Sequence, residues 1–410
     1  MKTPIPLFLL AIGSLSAETP LPYGKDVEFL RQHTAVIELK DGDAAVALAP
    51  AFQGRVMTST AAGDSGYSFG WLNYKLIEQG VLSEDKAAGK LESHIYVFGG
   101  EERLWLGPEG GQYGIFFPAG TPFDFANWKT PPPLDTQAFD VVSSSASQAE
   151  FLKTFKLANH SGTQFHVEVK RTVRLLPKEE ISRLLGVPLA ADVKAVAYET
   201  SNQLTNRGDN AWLPDTGLLS VWMLGMYKPS PETVVAIPVR QGEDPQLGPL
   251  VNDAYFGKVP GERLQVREGV IFFKGDGEQR GKIGIPPRRS LGVAGSYSGE
   301  NQALNLVLYT QPQDTVSYVN SAWEQQKTPY GGDVINSYND GSPAPGKPPL
   351  GPFYELETSS PAAALKPAAS IMHRQTTIHL TGNPESLDAV AVKQLHVPIK
   401  TLKAVFPVAK

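Results

Sequence analysis

Cysteine is missing from all 410 residues, so the chain has no disulfide framework, no Cys-based zinc site and no lipid-anchored N-terminal cysteine. Charge of one sign is scarce too. With 37 Lys+Arg against 42 Asp+Glu, the formal charge of −5 comes from interspersed signs and offers no basic stripe for a phosphate backbone. Nucleic acid is therefore not an expected partner, and no basic amphipathic helix suggests binding at a membrane surface. No apolar run is long enough for a membrane helix, so none is expected in the mature chain. Helical periodicity is thin, with candidates at Asp26–His33, Lys178–Leu185 and Ser386–Leu395, the last placing Leu387, Val390, Ala391 and Leu395 on one face.

The N-terminus does carry a signal. Lys2, the apolar run from Ile5 to Ile12, and the small residues Ser14, Ser16 and Ala17 have the layout of a secretory signal peptide. We expect a Sec signal over residues 1–17, a periplasmic or secreted location, and one domain over 18–410.

Strand signals fill most of the remainder. Glycine (39) and proline (34) divide the chain into short segments, the mark of a β-sandwich or barrel. From Phe165 to Leu175, apolar residues at every second position face polar ones, and Arg171 is a lone charge on the apolar face. Other expected strands include Ala35–Leu39, Ala44–Ala49, Gly54–Thr60, Gly114–Phe117, Phe151–Leu157, Val196–Leu204, Ala303–Tyr309, Tyr354–Thr358 and Thr376–Leu380. The Pro/Gly-rich stretches 129–134 and 342–352 read as semi-rigid loops.

Two stretches concentrate chemistry. In Gly99–Gly111, Arg103, Trp105 and Glu109 lie between glycines that fit neither G-x-G-x-x-G nor the P-loop. An arginine fork matches sugar hydroxyls or a carboxylate, and a tryptophan offers an apolar plate to a pyranose face. The structural alternative is an Arg103–Glu109 pair locking two turns together. In the second stretch, Glu355 and Glu357 lie two apart on a strand, hence on one face that meets solvent or a site. Trp128, flanked by polar residues and prolines, is a second stacking candidate, whereas Trp222 reads as core. No calcium-loop, zinc or Gly-x-Ser-x-Gly spacing occurs, so neither a metal nor a cofactor is expected.

Leu356-Glu357-Thr358, followed by Pro361, Leu365 and Pro367, resembles the C-terminal signature of the aldose 1-epimerases. Gly54-Arg55-Val56-Met57 with Asn73 resembles the opening of the same fold. The Gly-Gly…Arg-Leu-Trp…Pro-Glu block and Lys282-Ile283-Gly284 are similar to uncharacterised secreted bacterial families of galactose-mutarotase-like proteins. The resemblance implies an all-β galactose-mutarotase-like β-supersandwich with long loops and a few short helices. It also implies a sugar in a concave cleft, with Glu357 as general base. The epimerases' acid is a histidine on a strand, but Ser201–Arg207, in the matching place, contains none. Asn159-His160-Ser161 reads as a hairpin turn. His94 is the substitute acid among the histidines; His373 is assigned to a turn, and His166 and His379 to the surface. Asp253 is similar to an epimerase aspartate that orients sugar hydroxyls.

The expected function is thus an exported, carbohydrate-active, aldose 1-epimerase-like protein. Its candidate catalytic residues are Glu357 and His94, and its candidate sugar-binding residues are Arg103, Trp105, Glu109, Trp128, Asp253 and Glu355. The alternatives are a non-catalytic carbohydrate-binding or accessory protein, and a polysaccharide lyase or glycoside hydrolase using paired carboxylates such as Glu109 and Glu357.

Overall fold

The computed structural model describes residues 21–344 and 346–406, so the expected signal peptide lies outside the described residues. Two antiparallel sheets carry the architecture. The larger has ten strands, in the order Leu264–Arg267, Val270–Lys274, Thr233–Pro238, Val293–Ser298, Ala303–Tyr309, Ser370–Thr381, Lys194–Asn206, Gln164–Leu175, Gln148–Ala158 and Asp140–Ser144. The smaller has five: Gly281–Ile285, Ile335–Asn339, Tyr354–Ser359, Ser220–Tyr227 and Arg103–Gly107. A three-stranded sheet (Ile37–Asp41, Ala44–Ala49, Arg55–Thr60) precedes them. Among the described residues, no helix is long and apolar enough to cross a membrane.

Period-2 patterning explains the layering. In Gln164–Leu175 every second residue, from Phe165 to Leu175, is buried. Val167, Val169 and Val173 pack in one cluster with Leu104, Leu106 and Met223 of the smaller sheet. A second cluster joins Ile283, Ile285, Ile335 and Leu356 to Val235, Ile271 and Val307. The far face of the larger sheet (Ala236, Phe272, Leu306, Ile378, Leu380) lies beneath three helices, Lys178–Leu185, Pro384–Leu395 and Ile399–Val405. Pro384–Leu395 starts where Pro384 takes the first turn and the Asn383 side chain accepts the Ser386 N–H at 3.0 Å.

The space between the sheets is not purely apolar. Arg171, fully buried, donates to Glu102 at 2.8 Å, to Asn202 at 2.6 Å and to the Gly54 carbonyl at 3.1 Å. The lone charge on the apolar face is therefore a buried ion pair. His379 is not a surface residue: its ring stacks on Phe69 at 4.2 Å and bonds Glu101 and Asn305. Nor does His373 occupy a turn. It lies in Ser370–Thr381, fully buried, with Nε2 at 2.8 Å from Thr358 Oγ1. Gly114–Phe117 is likewise not a strand, because Gly114 closes a turn on Gly111 and Ile115 bonds back to Pro108.

His373 produces a pH dependence. Burial holds its imidazole down to about 3, so the folded protein resists a proton that the unfolded chain binds near its ordinary 6.5. Its contribution to stability is present above about 6.5 and is lost as pH falls towards 3, by at most about 1.4 kcal/mol per pH unit. Urea melts of wild type and His373→Gln should diverge in that window, the variant having the flatter acid limb. Parallel limbs would rule this histidine out as a source of acid sensitivity.

Candidate functional site

Four of the residues expected to carry chemistry, Arg103, Trp105, Glu355 and Glu357, meet on the face of the smaller sheet that points away from the larger one. Antiparallel register puts them there. Glu357 pairs with Asn336 on one side and Leu224 on the other, and Leu224 pairs with Arg103. Glu355 pairs with Tyr338, which pairs with Lys282. Trp222 pairs with Trp105. Glu355 and Glu357 do share one face, but they are only 4% and 1% exposed. That face is therefore neither a solvated strand face nor an open cleft, because loops roof it over.

Each carboxylate has its own partners. Arg103 Nη2 bonds Glu355 at 2.9 Å, so Arg103 pairs with Glu355 and not with Glu109. The guanidinium also lies 4.1 Å from the Trp105 ring centroid. Burial pushes the Glu355 carboxyl up against the pull of Arg103, with the Glu357 charge adding to the rise. Glu357 accepts two bonds on a single oxygen, Oε2: Lys282 Nζ at 2.8 Å and the Trp222 indole N–H at 3.0 Å. Its other oxygen, Oε1, is buried and has no hydrogen-bond partner. Trp222 is buried, as a core residue would be, but its polar edge is turned to this carboxylate.

Lys282 organises the group. It sits 5.0 Å from the Trp222 ring and 5.5 Å from the Tyr255 ring. Tyr255 donates to Asp333 at 2.5 Å, and Asn252 donates to the same oxygen at 3.2 Å. Gly284, two residues beyond Lys282, leaves room here, since a Cβ would run into the Asp333 carboxylate. Burial raises the Asp333 carboxyl, opposed by these donors and by Lys282.

The roof carries Glu109 and a run of rings. Trp128 donates its indole N–H to Glu109 at 2.9 Å and lies between Phe116 (6.1 Å) and Trp323 (5.8 Å). Burial raises the Glu109 carboxyl, the Glu357 charge raises it further, and Lys282 with the Trp323 and Trp128 indoles opposes the rise. Glu109, Tyr255, Lys282, Trp323 and Asp333 keep part of their surface open above the buried Glu357 carboxylate.

Two expected site residues are placed elsewhere. His94 does not reach the carboxylates: its Nδ1 bonds the Trp128 carbonyl at 2.7 Å and its ring packs on Phe125. It ties down the backbone of Trp128, whose indole bonds Glu109. Asp253 makes no side-chain hydrogen bond or ion pair among the described residues; its neighbours Asn252 and Tyr255 converge on Asp333 instead. Lys282, Trp222, Asp333, Tyr255 and Trp323 were not marked as site residues by the sequence. Only Lys282 had a usable signal, as a charge inside the apolar strand Gly281–Ile285. Among the described residues, no cluster of His, Asp and Glu is arranged to hold a metal ion.

Several solved structures resemble this fold. A protein of Escherichia coli K12, provisionally assigned as an aldose 1-epimerase, is 12% identical, with 84% of this chain and 98% of that chain covered at a TM-score of 0.48. A galactose mutarotase-like protein from Lactobacillus casei is also 12% identical, covering 84% and 100% at 0.45. A galactose mutarotase related enzyme from Lactobacillus acidophilus is 8% identical, covering 84% and 97% at 0.45. No curated protein sequence matches the chain. One family model spans residues 21–406, and by that match the chain belongs to the family of unknown function DUF6786.

Proposed function

We propose that this chain is an exported carbohydrate-active protein that binds a free sugar beneath the roof of the smaller sheet and interconverts its anomers. The observation that carries this reading is the uneven occupancy of Glu357. Oε2 is fixed by Lys282 and Trp222, which leaves Oε1, buried and unpartnered, as the free acceptor of this carboxylate. A carboxylate held this way is placed to accept a proton from an anomeric hydroxyl. The part-exposed Trp323, packed on the buried Trp128, offers the kind of apolar ring that pyranose faces stack on.

The acid is Glu109, whose burial and proximity to Glu357 keep its carboxyl protonated to higher pH than usual. Glu357 takes the O1 proton, the C1–O5 bond breaks, and O5 receives the Glu109 proton as C1 becomes an aldehyde. Rotation about C1–C2 and the reverse transfers close the other anomer, returning both carboxyls to their starting states.

A second reading, a binding protein without turnover, is favoured by one observation: no histidine stands among these carboxylates. Anomer exchange measured by NMR on hexoses, pentoses, deoxysugars and uronates decides between the two. Acceleration of at least one sugar is expected. Binding without acceleration of any would leave the non-catalytic reading, and release of new reducing ends from an oligosaccharide would instead assign hydrolysis to the Glu109–Glu357 pair.

A further inference from the structure

A second feature lies at the start of the edge strand Gly281–Ile285. A cavity of about 110 Å³ is lined by Phe256, Lys258, Arg263, Gln279, Arg280 and Gly281, among others. Its cations differ in how they are used. Arg263 forks onto Asp276 at 3.0 and 2.5 Å, and Lys274 bonds the same carboxylate at 3.0 Å, so both of those cations are already engaged. Arg280 and Lys258 have no ion pair among the described residues. Nearby Asp340 is occupied by the Tyr338 hydroxyl at 2.7 Å and the Gly351 N–H at 2.9 Å.

Arg280 is held by a ring, with the Asp340 carboxylate near enough to feel its charge but making no ion pair with it. Its guanidinium lies 3.8 Å from the Phe256 ring centroid, and that ring packs edge-on against Tyr338 of the site face. Adjacent rings therefore receive cations two residues apart in the chain: Tyr255 takes Lys282, and Phe256 takes Arg280, just before the strand begins. Stacking fixes the guanidinium plane and leaves its N–H edge free, the arrangement that receives a carboxylate or phosphate by two parallel bonds.

We propose that the sugar is anionic, and that Arg280 and Lys258 receive its negative group while its anomeric end lies at Glu357. This rests on the sugar-handling reading above and adds the class of sugar. The cavity is too small for a second sugar ring beside the charge, which favours a terminal carboxylate over a longer chain.

The test is a comparison of exchange kinetics for galacturonate and glucuronate against galactose and glucose, with glucose 6-phosphate as a second anionic probe. Wild type is expected to prefer the acidic sugars, and preference for the phosphate over the uronates would assign the anion as phosphoryl. In Arg280→Gln, KM for the preferred anionic sugar should rise about tenfold or more with kcat retained, as expected for loss of a charge-assisted contact. The exposed Lys258→Gln should shift the same preference without risk to the fold. Acceleration of neutral sugars with no acidic preference would overturn the inference and leave the sugar reading standing. If no sugar, neutral or acidic, is bound or exchanged, both fall together.

Discussion

Glu357→Gln is expected to slow anomer exchange by about 10²- to 10⁴-fold, the range that a positioned general base contributes. Glutamine keeps the size of the side chain and an oxygen for the Trp222 and Lys282 donors, now at 3.0 and 2.8 Å from Oε2. It removes the basic lone pair on Oε1, so sugar binding should persist while turnover is lost. A variant that exchanges anomers at the wild-type rate would remove Glu357 from the chemistry. Loss of binding together with turnover would point to a collapsed site, and the thermal melt would register that independently.

The second large effect concerns stability. Arg171→Met should destabilise the protein by about 3–5 kcal/mol, because it strands Glu102 between the sheets. Both side chains are fully buried, and Arg171 also serves Asn202 and the Gly54 carbonyl. That loss is a large part of the total stability of an ordinary domain. Adding Glu102→Gln should recover part of it, since glutamine can keep the bond to Gln375, now 2.8 Å from Glu102. Urea denaturation of the three proteins measures this. A single-variant loss below about 1 kcal/mol would mean that water reaches the pair.

Parts of this were legible in the sequence for simple reasons. Gln164–Leu175 has one face between the sheets and one towards solvent, so its alternation is complete. The helix Pro384–Leu395 announces itself from Ser386 onward by its apolar stripe, while its first turn and Asn383 cap escape that pattern. Glu355 and Glu357 share a face by the period of any strand. Arg103–Gly107, by contrast, is buried on both faces, which erases the alternation that identifies a strand. The same double burial, between the sheets on one side and under helices on the other, made His379 look like a surface residue.

The site was harder to read because its partners are distant along the chain. Lys282 lies 75 residues from Glu357 and Trp222 lies 135 away, and only the pairing order of the smaller sheet unites them. Asp253 looked suitable by type, but the backbone turns Asn252 and Tyr255 onto Asp333, and no local pattern encodes that choice. His94 was chosen as a histidine close in sequence to the Gly-Gly block; its ring is committed to the Trp128 carbonyl.

The central claim is that the outer face of the smaller sheet, under the loops bearing Glu109, Trp128 and Trp323, is where a sugar binds. A crystal structure of the protein soaked with the sugar it exchanges fastest tests this most directly. The expected result is a pyranose between Glu109 and Glu357, its anomeric hydroxyl within hydrogen-bond reach of Glu357 Oε1. A sugar bound on another surface, with Glu357 still sealed beneath the roof, would contradict it.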